Sequence, residues 1–226
     1  MTFHVLTLFP EVFVALDHSI IKRAVSSGKI CINCINIRDY SQNKQKSTDD
    51  YPYGGGGGMV MMPEPVFLAY KSLNLPPNTP MVYLTPQGKV FDQKMAERFS
   101  REPEIALLCG HYEGIDQRII DTFVTEEISL GDFVLTGGEL AACAIIDAVS
   151  RLVSGVIKPK SLETESFKSN LLEYPQYTRP YDFLGQKVPD VLLSGNHGEI
   201  EEWRKKQAYA VTLKKRPDLL SKKDEV

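Results

Sequence analysis

Short apolar runs separated by helically spaced apolar positions recur through the first 153 residues, and their alternation is the main structural signal. Residues 5–8 form a run of strand length. Val12, Phe13, Leu16, Ile20, Ile21 and Ala24 then fall at helical spacing behind Pro10, with a stop at Gly28, which predicts one amphipathic helix. Residues 30–37 read as a strand, whereas 38–53 are polar and aperiodic and lead into five glycines at 54–58. A helix is expected over 64–75, closed by Pro76 and Pro77. Strands at 81–84, 105–109 and 124–128 alternate with helices over 91–99 and 115–123, and Leu140, Ile145, Ile146, Val149 and Leu152 mark a longer helix. This alternation predicts an α/β fold, a mostly parallel sheet with helices on both faces. Ligands of such sheets sit beyond the carboxyl ends of the strands, where 85–88, 110–113 and 131–138 fall.

Past residue 153 the period is lost. Residues 154–170 contain Pro159 and read as a linker, and 171–193 are irregular and rich in Tyr and Pro. Asn196 or His197 can open a helix that carries acids in its first turn and Lys214-Lys215-Arg216 at its far end, as the macrodipole favours. The expected division is a domain at 1–153, a linker at 154–170 and a small, mainly helical domain at 171–226.

Composition adds two constraints. Hydrophobic content of 42% and charged content of 24% suit a globular chain long enough to bury a good core. Net charge is −3, but residues 1–154 carry 13 Lys/Arg against 18 Asp/Glu and residues 155–226 carry 13 against 11, so a polyanion would prefer the C-terminal part. The start has no basic segment and meets Pro10 early, unlike a signal peptide, and no apolar run is long enough to cross a bilayer. The expected place is the cytoplasm. Cys31 and Cys34 lie three apart on a predicted strand, hence on opposite faces, with no second ligand pair at zinc spacing. All four cysteines, with Cys109 and Cys143, read as buried reduced thiols.

Two stretches carry the candidate chemistry: Leu107-Leu-Cys-Gly-His-Tyr-Glu-Gly-Ile-Asp116 and Leu130-Gly-Asp-Phe-Val-Leu-Thr-Gly-Gly-Glu139. Each is an apolar strand running into a glycine-bearing acidic turn that opens a helix. Such turns fit a small polar cofactor held by backbone groups, and equally fit plain turn geometry. The 54–58 glycine run could cradle a phosphate, but it lacks the Lys-Ser/Thr ending of a P-loop, which excludes a kinase or ATPase of that type.

These stretches, together with Tyr53-Gly-Gly-Gly-Gly-Gly-Met59, Val82-Tyr-Leu-Thr-Pro-Gln-Gly88, Tyr177-Thr-Arg-Pro180 and Val191-Leu-Leu-Ser-Gly-Asn-His197, resemble the bacterial tRNA (guanine-N1)-methyltransferase family in order and spacing. The resemblance implies a SPOUT-class fold with a C-terminal trefoil knot in the first domain, and a tight homodimer with shared active sites. It implies methyl transfer from S-adenosylmethionine to N1 of guanosine 37 in tRNAs with guanosine at 36, with dependence on Mg²⁺. No carboxylate cluster has the spacing of a metal cage, so no metal ligands are named.

On this resemblance the cofactor is enclosed first by Tyr83, Leu84, Thr85 and Pro86. Gly110, Tyr112 and Glu113 follow from the second loop. The third supplies Leu130, Gly131, Asp132, Phe133, Val134 and Leu135, then Gly137 and Gly138. Glu113 would hold the guanine edge or the cofactor, Asp50 would position the base, and Asp132 would either balance the sulfonium or cap a turn. N1 of guanine must lose a proton to a general base while charge grows on O6, for which a carboxylate and an arginine are suited. The family's arginine maps onto Arg151. Its aspartate maps onto Glu165 in a linker one residue shorter, with Glu163 as second choice. Arg204, Lys205, Lys206 and Lys214 would grip the RNA backbone, although Lys214, Lys215 and Arg216 also suit a helix end. His111 and Gln176 stand where the family often has Arg and His. The rival reading is a non-catalytic RNA-binding module of the same fold that has lost the base, and Glu165 is the feature that favours it.

Overall fold

In a strand buried on both faces, odd and even positions serve different cores, and the first strand, β1 (Thr2–Thr7), shows it directly. Phe3 and Val5 enter one apolar cluster and Leu6 the other, all with 0% exposure. The computed structural model describes residues 1–162 and 164–221, except for the side chain of Lys160. The chain divides into two compact units, Met1–Ile157 and Lys158–Val226.

The first unit continues with α1 (Ser19–Ser26) and β2 (Cys31–Asn36), a hairpin of β3 (Asp49–Asp50) and β4 (Val60–Met61), then α2 (Pro63–Ser72) and β5 (Met81–Val90). Next come α3 (Gln93–Phe99), β6 (Glu104–Cys109), α4 (Gln117–Phe123), β7 (Glu126–Ser129) and α5 (Glu139–Ser150). Five of the strands form one parallel sheet in the order β2-β1-β6-β5-β7. Helices α1, α3 and α5 cover one face through Ile21, Phe99 and Ile145, while α2 and α4 cover the other through Val66 and Ile119. Each fully buried Leu, Ile or Phe contributes about 1.5–3 kcal/mol, so the three central strands form a stiff floor.

One interruption shapes everything at the carboxyl end of that floor. Leu84 and Lys89 both pair with Ile128 of β7, so the chain leaves the sheet after Leu84 and re-enters on the same partner residue. Residues 85–88 are thereby extruded. Gly88 closes the excursion at a point where a side chain would penetrate the backbone of Glu127 and Ile128, an approach only glycine permits.

The structure corrects three sequence expectations. The helix expected from Val12 to Ala24 is two pieces, a 3-10 turn over Pro10–Leu16 and then α1, because Ser19 takes a left-handed φ of 52° and breaks the helical path. The aperiodic stretch at 38–53 ends in the first strand of the β3–β4 hairpin, whose two-residue strands are too short to leave a period. Cys31 is exposed rather than buried, since β2 is an edge strand; Cys34 and Cys143 are half-buried and only Cys109 is buried.

The second unit contains α6 (Pro159–Leu162), a hairpin of β8 (Asp182–Phe183) and β9 (Gln186–Lys187), α7 (His197–Lys215) and α8 (Asp218–Ser221). It begins inside the segment read as a linker. Asn196 Oδ1 caps α7 by accepting from the Gly198 and Glu199 amides at 3.1 and 3.4 Å. Buried Thr212 accepts from the Leu172 amide at 2.8 Å, which ties the irregular stretch to α7.

Two outcomes are expected. Gly88→Ala should cost at least about 2 kcal/mol, as overpacking against backbone does; an unchanged urea midpoint would show that β7 can move aside. Burial, the largest cause, pushes the Cys34 and Cys143 thiols up to about 11 and Cys109 well above its usual range. Because thiolate is the reactive form, a thiol reagent at pH 8 should modify Cys31 first and the other three slowly, so equal labelling rates would contradict this burial.

Candidate active site

Three loops leave the carboxyl ends of β5, β6 and β7 and close on one cavity of about 460 Å³, a size typical of small-molecule sites. The first loop starts from buried Tyr83, Leu84 and Thr85 and turns outward at Pro86 and Gln87. The Tyr83 ring packs against Gly110 of the second loop. Burial raises the Tyr83 phenol above its usual range, opposed by a hydrogen bond with Thr85 and reinforced by Glu127.

The second loop is strained. Tyr112 holds a left-handed φ of 59°, which costs a non-glycine residue about 1–2 kcal/mol, and such strain concentrates at functional sites. The β3–β4 hairpin is stitched to this loop: the Glu113 amide donates to Met59 O at 3.0 Å, Met61 to Gly114 O at 2.9 Å and Asp116 to Met61 O at 3.1 Å. Residues 51–59, with the glycine run, are thus held beside the second loop, and the Glu113 side chain lies against Gly58.

The third loop is folded on itself and fastened to the second. Ser129 Oγ donates to Gly131 O at 2.9 Å and accepts from the Gly131 amide at 3.1 Å, and the Phe133 amide donates to Gly131 O at 2.8 Å. The Gly138 amide donates to Gly110 O at 2.9 Å, joining the two loops beneath the cavity. Phe133 and Val134 remain exposed as an apolar lip.

A family model described as tRNA (Guanine-1)-methyltransferase TrmD matches residues 1–222. The chain belongs to this family. A tRNA (guanine-N(1)-)-methyltransferase of Caldicellulosiruptor saccharolyticus is 59% identical over 222 residues, covering 98% of this chain and 91% of that protein. Proteins of the same name from Clostridioides difficile and Caldanaerobacter subterraneus are 56% and 58% identical, covering 100% and 98% of this chain and 100% and 92% of their own lengths.

In this member of the tRNA (guanine-1)-methyltransferase family, the sequence-selected Tyr83, Leu84, Thr85, Pro86, Gly110, Tyr112 and Glu113 all lie in the cavity wall. So do Leu130, Phe133, Val134, Leu135, Gly137 and Gly138. Gly131 and Asp132 are not in the wall, and Asp132 is exposed. The wall also contains Gln87, His111, Gln117, Glu127 and Thr136. Gln87, His111 and Thr136 sit inside quoted motifs, so the motifs did signal them. Gln117 and Glu127 belong to α4 and β7, and only their neighbours in space reveal them.

The remaining candidates have local roles on display. Asp50 is exposed and accepts from the Tyr51 amide at 2.8 Å. Arg151 is half-buried and ends α5, its amide donating to Asp147 O at 3.2 Å. In the second unit Glu165 is half-buried in a turn whose carbonyl accepts from the Lys168 amide at 3.4 Å; Glu163 lies outside the described residues. The Arg204 guanidinium stands 5.0 Å over the Tyr174 ring, Lys205 reaches Glu201 at 3.8 Å, and Lys214 occupies the last turn of α7. Arg216 forks onto Asp218 at 2.8 and 2.6 Å.

Asp116, the last acid of the second motif, is a cap. It accepts from the Arg118 amide at 3.0 Å and from the Arg118 guanidinium at 2.8 and 2.7 Å, and that guanidinium holds its carboxyl below the usual range. Asp116→Ala should therefore cost about 0.5–2 kcal/mol, as lost N-caps do, measured by thermal unfolding. No change in melting temperature would deny Asp116 the capping role.

Proposed function

We propose that this protein transfers the methyl group of S-adenosylmethionine to N1 of guanosine 37 of tRNA. The observation that carries the reading is the convergence of the three motif loops on one cavity in a chain that belongs to the family over residues 1–222. The cavity offers what a bent adenosyl cofactor needs: apolar walls from Leu84, Leu130 and Leu135, with backbone groups of Gly110, Gly137 and Gly138 between them. When bound, the cofactor supplies an electrophilic methyl group on a sulfonium. Placing guanine N1 in line with that methyl is the main catalytic task of the surrounding loops.

In this reading Glu165 accepts the N1 proton and the Arg151 guanidinium faces the charge growing on O6. Glu113 and Asp50 hold the guanine, and Asp132, exposed and outside the cavity wall, either balances the sulfonium or caps a turn. Arg204, Lys205 and Lys214 bear on tRNA from the second unit, whose sequence holds the basic excess. The fold is read as a SPOUT trefoil knot; the extrusion of residues 85–88 from β5 and the hydrogen bond from Gly138 to Gly110 support it. Residues 1–153 form the cofactor domain, 154–170 the linker and 171–226 a small helical tRNA-binding domain. A homodimer with shared sites is supported by exposed Phe133 and Val134 at the cavity lip and exposed Leu140 in the first turn of α5. No described helix is long and apolar enough to cross a membrane, and tRNA as substrate supports a cytoplasmic location. Mg²⁺ belongs to the family reading, but among the described residues no three His, Cys, Asp or Glu side chains are grouped to hold a metal, so no residue is assigned to it.

The test is methyl transfer from labelled S-adenosylmethionine to tRNA transcripts carrying guanosine or adenosine at position 37, with Mg²⁺. Wild type should act only on guanosine 37. Glu165→Gln should lose about 10²–10⁴ in rate, the range of general-base catalysis, and Arg151→Ala about 10²–10³, both with cofactor affinity kept. Full activity in Glu165→Gln would move the base elsewhere, whereas cofactor binding without any transfer by wild type would favour a non-catalytic RNA-binding module.

A further inference from the structure

Two aromatic rings stand side by side at the tip of the second loop, and each is held by the end of a different strand. His111 and Tyr112 meet edge-on with centroids 5.0 Å apart, both in the cavity wall, and Tyr112 keeps its left-handed φ of 59°. The His111 ring rests on Phe9, just past the end of β1, with centroids 5.0 Å apart. The Tyr112 phenol oxygen accepts from Arg38 Nη2 at 3.4 Å, and Arg38 belongs to the 3-10 turn over Ile37–Tyr40 that follows β2. In the sheet order β2-β1-β6, the end of β2 lies two strands from the end of β6. That is roughly 10 Å, a gap that takes a long side chain from each side to bridge.

Arg38 reaches out from a fixed base. Its amide donates to Asn36 Oδ1 at 3.0 Å and its carbonyl accepts from the Ser41 amide at 3.2 Å, while Ile37, with 0% exposure, and Tyr40 pack into the core beside it. The neighbouring acid, Asp39, is engaged by Lys46 at 3.4 Å, and the Arg38 guanidinium turns to Tyr112 instead. Tyr112 is the opposite case, 39% exposed. An exposed side chain changes rotamer within picoseconds to nanoseconds, and a ligand that packs against it must first order it. A bond of 3.4 Å adds little stability, but it limits how far the phenol swings.

We infer that Arg38 is a positioning residue: it holds the Tyr112 phenol before any ligand arrives, so that the ring already stands as cavity wall. Arg38 is not itself in that wall and acts only through Tyr112. Resting on the cofactor reading above, S-adenosylmethionine then enters a site in which this ring does not have to be ordered, and its affinity is higher for that reason.

Two measurements test this. In cofactor-free protein with ¹³C in the tyrosine rings, the Tyr112 signal, assigned from Tyr112→Phe, should move toward the position of free tyrosine in Arg38→Ala. It should stay near the wild-type position in Arg38→Lys, whose ammonium still donates. In the second measurement, S-adenosylhomocysteine binding to the full chain is followed by calorimetry. Arg38→Ala and Tyr112→Phe should each weaken it by about 3- to 10-fold, the effect of ordering one side chain. The double variant should bind no more weakly than either single one, because both changes remove the same bond. An unmoved Tyr112 signal in Arg38→Ala, or losses that multiply in the double variant, would overturn the inference. So would unchanged affinity in Arg38→Ala with a raised KM for tRNA, which would make Arg38 an RNA contact. Absence of S-adenosylhomocysteine binding by wild type would instead sink the cofactor reading, with the ring signal still deciding whether Arg38 holds Tyr112.

Discussion

The site depends on one backbone contact, the close approach of Gly88 to Glu127 and Ile128 where β5 rejoins β7. Because the chain returns to the same partner residue, the segment between must stand outside the ladder, and Thr85, Pro86 and Gln87 become cavity wall instead of pairing with β7. That excursion leaves the Tyr83 ring over Gly110, whose carbonyl receives the Gly138 amide. Each loop is thereby held by the next. The stiffness behind them comes from strands with apolar residues on both faces, which cannot shift register without exposing a core.

The acids around this cavity show how surroundings assign roles to one chemical type. Asp116 is occupied by Arg118 and the start of α4, whereas Asp50 is exposed and accepts from the Tyr51 amide through one oxygen, leaving its carboxylate open to a ligand. Glu139 is enclosed with Thr7, whose hydroxyl donates to it. Glu113 is exposed at the rim, with its amide fixed to the glycine hairpin and its side chain beside Gly58. Only a carboxylate left to face a ligand is available for recognition, whereas one already satisfied by the fold contributes stability. The same division holds for the cations of the second unit, where Arg216 is forked onto Asp218.

Strands with fully apolar runs, at 81–84 and 105–109, were legible in the sequence because burial on both faces demands continuous hydrophobicity. The same reading joined the turn at Pro10 to α1, since apolar spacing continues through the break while the left-handed Ser19 that causes it leaves no mark on hydropathy. The β3–β4 hairpin escaped because two-residue strands have no period, and it is hydrogen-bonded to the second cavity loop through Met59 and Met61. Cys31 misled for a third reason: a strand at the sheet edge has the composition of a buried one but lacks a neighbour on one side.

The sequence by itself determined the α/β class of the first unit, the five strands of its parallel sheet with the helices between them, and the three loop motifs whose residues line the cavity, since these follow from local periodicity and from glycine at fixed spacing. The tertiary structure alone decided that β5 is interrupted and resumed on Ile128, that Asp116 is a cap, and that Thr7 meets Glu139. Thr7 and Glu139 lie 132 positions apart in the chain. No local pattern encodes such a meeting, because it arises only when the sheet order brings the end of β1 beside the start of α5.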